Sequence, residues 1–253
     1  MVEKNNQKNL KKYSSAEDYQ VLEEIEHVRR YPGNYIGSTD EQGWHHLFQE
    51  VIDNSIDEAV AGHCDQIKVT LSPDQRSITV EDNGYAVPIE THPKTNQSVL
   101  VTLFSALKSG GKFDDKIYKT SGGLHGIGVT AVNALSQELR VWNKRQGQTE
   151  ILEFSRGILK SREVVDSPQA TDGLTVTFTP DPEIFKEFTY FKIDTIQNRL
   201  KELAYLNPNL TLIFQSSPDA EPIAYHFSSG LAGWVKEINQ DNYLQNTEVC
   251  SEE

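Results

Sequence analysis

Four polar positions, His46, Glu50, Asn54 and Asp57/Glu58, recur at steps of three or four along the stretch Trp44–Ala61. That spacing places them on one face of a helix, opposite an apolar stripe of Leu47, Phe48, Val51, Ile52, Ile56, Ala59 and Val60. A carboxylate one helical turn from an imidazole can act as a general base that the imidazole orients. An Asn amide oxygen is a suitable ligand for a hard cation shared with phosphates and water. A solvated helix face produces the same spacing. Against that plainer account, Asn is a poor residue for an exposed helix interior.

Two further groups carry chemistry. Glu81-Asp82-Asn83-Gly84 closes an apolar strand at Ile78–Val80. Such a sequence suits an ordinary turn, but it also suits a carboxylate that accepts from a ligand amino group, with Gly84 allowing close approach to the backbone. The third group runs from Gly110-Gly111-Lys112 through Lys119 to Gly123-Leu124-His125-Gly126-Ile127-Gly128, with six glycines in the twenty residues Ser109–Gly128. A glycine-rich backbone that enters a helix presents N–H groups to phosphate. No apolar strand precedes these glycines, which excludes the dinucleotide fingerprint, and no Gly-Lys-Ser/Thr closes them, which excludes a P-loop. A flexible linker rarely has so fixed a pattern.

The elements that must position these groups follow from periodicity. Helical patterns fall at Val21–Arg30 (ended by Tyr31-Pro32-Gly33), Trp44–Ala61, Val99–Leu107, Val129–Leu135, Phe191–Leu206 and, as a new start, Leu231–Ile238. Strand patterns fall at Ile67–Leu71, Ile78–Glu81, Glu138–Trp142, Ile151–Phe154, Thr175–Thr179 and Leu210–Phe214. Strands and helices are not in strict βαβ alternation, so the expected class is α+β: a two-layer sandwich with helices on one face of a mixed, mostly antiparallel sheet. The expected divisions are an N-terminal arm at 1–20, a folded α+β domain at 21–228, and a tail or the beginning of another domain at 229–253.

Composition bounds the function. Lys+Arg number 24 against 37 Asp+Glu, a formal net charge of −13. So acidic a surface repels a phosphate backbone and argues against direct duplex binding. Cys64 and Cys250 have no metal-like spacing and imply no disulfide framework. The start MVEKNNQKNLKKYSS lacks the apolar core of a signal peptide, and no run is long enough to span a bilayer. A cytoplasmic protein that does not engage a membrane is expected.

The helix HHLFQEVIDNSIDEAVAG, the turn VEDNG and the loop GGKFDDKIYKTSGGLHGIG resemble the three nucleotide-binding motifs of the GHKL ATPases. Within that superfamily the chain is most similar to the ATPase subunits of bacterial type II topoisomerases, of the gyrase B or topoisomerase IV kind. YPGNYIGST, HPKT, NAL and FTPDPEIF resemble their connecting segments, and the likeness covers Tyr13 to Gly230.

The resemblance implies ATP and Mg2+ as cofactors. It implies Glu50 as the general base, His46 as its orienting partner, and Asn54 as the magnesium ligand. Asp82 would accept the adenine amino group, within a pocket that includes Glu58, Gly84, Val87, Pro88, Arg145 and Thr175. Gly110, Gly111, Lys112 and Lys119 would belong to a lid, and Gly123, Leu124, His125, Gly126, Ile127 and Gly128 would wrap the triphosphate. The implied partners are a second copy of the same subunit on ATP binding and a DNA-cleaving A-type subunit, with DNA held by other domains. The implied activity is ATP-driven strand passage.

The chain departs from the family pattern where Asp/Asn-Gly-Arg-Gly-Ile-Pro is usual and Asn83-Gly84-Tyr85-Ala86-Val87-Pro88 stands. The family arginine pairs with a carboxylate of the long helix, so Tyr85 is expected to leave Glu58 without its partner. Leu174 stands where a threonine usually helps bind the adenine, so that contact should fall to Asp82 alone. The alternatives are another GHKL ATPase, or a non-catalytic nucleotide-sensing or interaction module descended from such a subunit.

Overall fold

A computed structural model describes residues 24–107 and 127–239. The helix that carries the polar stripe is α3, Glu41–Val60, preceded by α1, Glu24–Arg30, and the single turn α2, Gly33–Ile36. Asp40 caps α3 by accepting from the Gln42 and Gly43 N–H groups at 2.9 and 3.4 Å, a device that stabilises a helix by about 1 kcal/mol. Gly43 has no room for a side chain, since a Cβ there would overlap the Ser38 carbonyl oxygen. Trp44, Leu47, Phe48, Val51 and Ile52 are buried as the stripe requires, but Val60 is exposed and Asp57 is buried.

Eight strands form one sheet in the order β5-β4-β3-β6-β2-β1-β7-β8. They are β1, Gln66–Leu71; β2, Ile78–Asp82; β3, Ser136–Arg145; β4, Gln148–Ser155; β5, Ile158–Asp166; β6, Gly173–Pro180; β7, Thr211–Gln215; and β8, Ile223–Tyr225. Among the described residues, only β1 and β7 pair in parallel; every other neighbour is antiparallel. The parallel pair is possible because α6, Ile193–Leu206, separates β6 from β7 and gives the chain length to cross over. The remaining helices are α4, Val99–Ser105; α5, Gly128–Ala134; and α7, Gly230–Ile238.

The expected two-layer α+β class is what the chain adopts. Alternation fixes which strand residues meet the helices: Ile67, Val69 and Leu71 on β1, Ile78, Val80 and Asp82 on β2, and Leu139, Val141 and Asn143 on β3 are all buried. Two strands went unanticipated. β5 is exposed along nearly its whole length, so it carries no apolar alternation to read, and β8 is only three residues.

Two packing features hold the helical layer in place. Trp44 meets Phe185, Phe188 and Phe191 at centroid distances of 5.3, 5.9 and 5.5 Å, largely edge to face. That seats the segment between β6 and α6 on α3. The second feature is fully buried Asp181, which accepts from Arg29 Nη2 at 2.8 Å and Arg156 Nε at 2.7 Å. Burial pushes its carboxyl up, but Arg156, the Glu183 N–H and Arg29 outweigh burial and hold it below the usual carboxylate range. Arg29 Nη1 also donates to the Ala134 carbonyl at 2.8 Å, which ties α1 to the end of α5. At the far end, Trp234 of α7 stacks on Tyr205 of α6, and Glu237 accepts from Tyr205 Oη and Lys201 Nζ. Among the described residues, no helix is long and apolar enough to cross a membrane.

Candidate functional site

The polar face of α3 looks across to the start of α5. His46 Nε2 lies 3.2 Å from Glu50 Oε1, each side chain about one-third exposed. That contact raises the imidazole pKa above its ordinary value, against the opposing pull of partial burial. The other carboxylate oxygen, Oε2, lies against Gly128, where a Cβ would overlap it. The Glu50 carboxylate therefore sits between an imidazole and the first residue of α5, where any side chain would displace it. One turn on, Asn54 Nδ2 donates to the Glu50 carbonyl at 2.5 Å. An amide oxygen is in general a suitable ligand for a hard cation shared with phosphates.

Asp82 sits at the mouth end of β2, only 7% exposed. Its Oδ2 accepts from Ser55 Oγ at 2.7 Å, and Oδ1 accepts from the Gly84 and Leu174 N–H groups at 3.1 and 3.3 Å. Burial pushes this carboxyl above its ordinary range, and those three donors only partly offset the rise. Gly173 lets β6 approach: a Cβ there would overlap the Asp82 carbonyl oxygen, and its φ of +154° is one that side chains avoid. Gly84 is packed against Asp82 Oδ1 and the Glu58 side chain, so Asp82 and Glu58 meet at the segment after β2.

That segment is fastened from β3. Arg145 Nη1 donates to the Tyr85 and Ala86 carbonyls at 2.7 and 3.0 Å, and Asn143 holds the Val87 backbone. Val87 is half-buried against the core, and Pro88 after it is exposed.

Two expectations need correction. Glu58 is not left without a partner by Tyr85: His63 Nδ1 lies 3.2 Å from Glu58 Oε2, and its ring stacks on Tyr85 at 4.4 Å with 27° between planes. A histidine five residues past Glu58 supplies the polar contact, and Tyr85 supplies the flat surface. Thr175 does not face Asp82. It pairs with Glu81 across β2–β6, and alternation turns it to the opposite sheet face, where its buried Oγ1 makes no hydrogen bond among the described residues. The neighbouring residue, Leu174, lies on the Asp82 face of β6 and donates its backbone N–H to Asp82 Oδ1.

Contacts join His46, Asn54 and Gly128 to Glu50, and Gly84 and Leu174 to Asp82, with Glu58 packed against Gly84 and Arg145 on the Tyr85 and Ala86 carbonyls; Ile127 is the N-cap of α5. Gly110, Gly111, Lys112, Lys119, Gly123, Leu124, His125 and Gly126 lie outside the described residues. Sequence reasoning missed Ser55, His63 and Asn143. Asn143 had a signal, a polar residue where the alternation Leu139, Val141 demands an apolar one; Ser55 and His63 had none that separates them from ordinary helix-end residues.

Residues 39–184 match the family described as histidine kinase-, DNA gyrase B-, and HSP90-like ATPase. The chain belongs to that family. Within it, the chain is 46% identical over 231 residues to the DNA gyrase B protein of Spiroplasma citri, covering 89% of this chain and 36% of that protein. It is 45% identical over 231 residues to the DNA gyrase B protein of Thermotoga maritima, covering 91% and 36%. Among solved structures it is similar to the 43K ATPase domain of Thermus thermophilus gyrase B in complex with an aminocoumarin, with a TM-score of 0.76, 35% identity, and coverage of 88% of this chain and 56% of that one. The chain spans about a third of the length of these gyrase B proteins.

Proposed function

We propose that this chain is the ATP-binding and ATP-hydrolysing domain of a type II DNA topoisomerase of the gyrase B kind. The observation that carries the reading is the Glu50 carboxylate, set between His46 Nε2 at 3.2 Å and Gly128 at the start of α5. Asp82, Gly84 and the Leu174 N–H would bind the adenine edge, with Asp82 accepting the exocyclic amino group. Asn54 Oδ1 would hold Mg2+, which draws charge from the phosphates when bound. Glu50 accepts the proton of the attacking water while His46 fixes the carboxylate's orientation. Little covalent chemistry falls to the protein; position and charge dominate phosphoryl transfer.

In the whole enzyme, nucleotide binding closes two copies into a dimer around DNA, and an A-type subunit cleaves the DNA. An acidic domain of this charge leaves the gripping of DNA to other segments. In this reading residues 1–20 would serve as the arm of that dimer, Gly110, Gly111, Lys112 and Lys119 would belong to a lid, and residues 229–253 would be a tail or the beginning of another domain.

Glu50→Gln tests the assignment. It should retain binding of a Mg2+–nucleotide complex within a few-fold and lower phosphate release by about 100-fold or more, the usual size of a general-base contribution. Equal turnover by Glu50→Gln and wild type would remove Glu50 from the chemistry. Weak or absent nucleotide binding by wild type, with no turnover, would favour the non-catalytic module.

A further inference from the structure

The segment that follows Asp82 adopts a conformation its own sequence resists. Residues 83–89 form neither helix nor strand, and Ala86 has φ +60°. That left-handed region suits glycine and is disfavoured for any residue with a Cβ. What holds it comes from β3. Asn143 Oδ1 accepts from the Val87 N–H and Asn143 Nδ2 donates to the Val87 carbonyl, both at 2.8 Å. A side-chain amide thus imitates the double pairing of a neighbouring strand. Two residues on, Arg145 Nη1 takes the Tyr85 and Ala86 carbonyls.

Asn143 is fully buried and stands in register between Glu150 of β4 and Leu174 of β6. A polar residue in that position is tolerated only when its hydrogen bonds are made. Its cross-strand neighbour Leu174 is the residue whose N–H donates to Asp82 Oδ1. The clip and the carboxylate are therefore attached to the same strands.

We propose that Asn143 is a positioning residue for the nucleotide site: by pairing with both polar groups of Val87 it holds Ala86 left-handed and keeps Gly84 and Tyr85 in place beside Asp82. The inference rests on the ATP-binding reading above. It assigns the role to an amide that touches no ligand atom. The clip offsets the conformational preference of Ala86, so the two residues must be coupled energetically.

The test is a cycle of Asn143→Leu, Ala86→Gly and the double variant, titrated with a non-hydrolysable ATP analogue plus Mg2+. Asn143→Ala, which cannot clash, repeats the cycle if leucine does not fold. Losing two hydrogen bonds to Val87 should weaken the analogue by about 10-fold or more, while inorganic tripolyphosphate, which does not touch this segment, should change by less than about 2-fold. In steady state KM should rise with little change in kcat. Ala86→Gly should recover about 3- to 5-fold in the Asn143→Leu background, since glycine adopts positive φ freely, and clearly less in the wild-type background. Additive effects, or equal weakening of the analogue and tripolyphosphate, would overturn the proposal while leaving the ATP reading intact. If wild type binds no adenine nucleotide, that reading fails first. The Val87 amide exchange rate would then show whether Asn143 protects the segment for structural reasons alone, which also overturns the proposal.

Discussion

Gly128→Ala should separate hydrolysis from binding. The backbone at Gly128 has an ordinary helical conformation and opens α5, so alanine is sterically acceptable to the main chain and intrinsically a better helix former by up to about 1 kcal/mol. The obstacle is Glu50. An added Cβ would overlap Oε2 and sit 3.0 Å from the carboxylate carbon. Relief requires the carboxylate to retreat by roughly an ångström, a displacement on the scale that lowers catalysis by about 100-fold. Because the obstruction is the far end of a flexible, one-third exposed side chain, the fold itself need not suffer. The retreat also disrupts the 3.2 Å approach to His46. The expected outcome is a melting temperature no lower than wild type, nucleotide affinity within a few-fold, and phosphate release under saturating Mg2+–ATP reduced by about 100-fold. Turnover within a factor of about three of wild type would mean that the Glu50 position against α5 does not matter to the chemistry.

Other consequences follow from the two titrating groups. Burial raises the Asp82 pKa above its unfolded value of 3.8, so its contribution to stability is full below that value and is lost as pH rises through the folded pKa. Asp82→Asn, which does not ionise, should therefore melt higher than wild type at pH 7, with the advantage vanishing below pH 3.8; a lower Tm at neutral pH would contradict the burial argument. The Glu50 contact raises the His46 pKa above 6.5. Its stabilisation is complete below pH 6.5 and disappears as pH rises through the raised value. Melting curves of His46→Gln against wild type should diverge in acid and converge in alkali; a pH-independent difference would rule out the ion pair.

Periodicity made α3 legible because a twenty-residue helix with one buried face repeats its signal many times. β5 was illegible for the opposite reason: an exposed edge strand buries nothing, so no alternation marks it. The chemistry on α3 and at Asp82 could be read because residue type and spacing are themselves the requirement. Thr175 could not be placed by spacing, because its face depends on a β2–β6 register set across about a hundred residues. The Glu58–His63–Tyr85 arrangement likewise depends on where the turn after α3 directs a ring. Asn143 escaped notice because the expected strand stopped at Trp142, and only the fold reveals that β3 runs on and that Val87 is what the amide satisfies.

The proposed function requires that Asp82 and the groups bonded to it form an adenine-nucleotide site. Calorimetric titration of the protein with a non-hydrolysable ATP analogue and Mg2+ tests it most directly, with Asp82→Asn measured alongside. Wild type should bind, and Asp82→Asn should lose about 10- to 100-fold, as expected for a charge-assisted hydrogen bond replaced by facing donors. Heat-silent wild type, or equal binding by both proteins, would contradict the account.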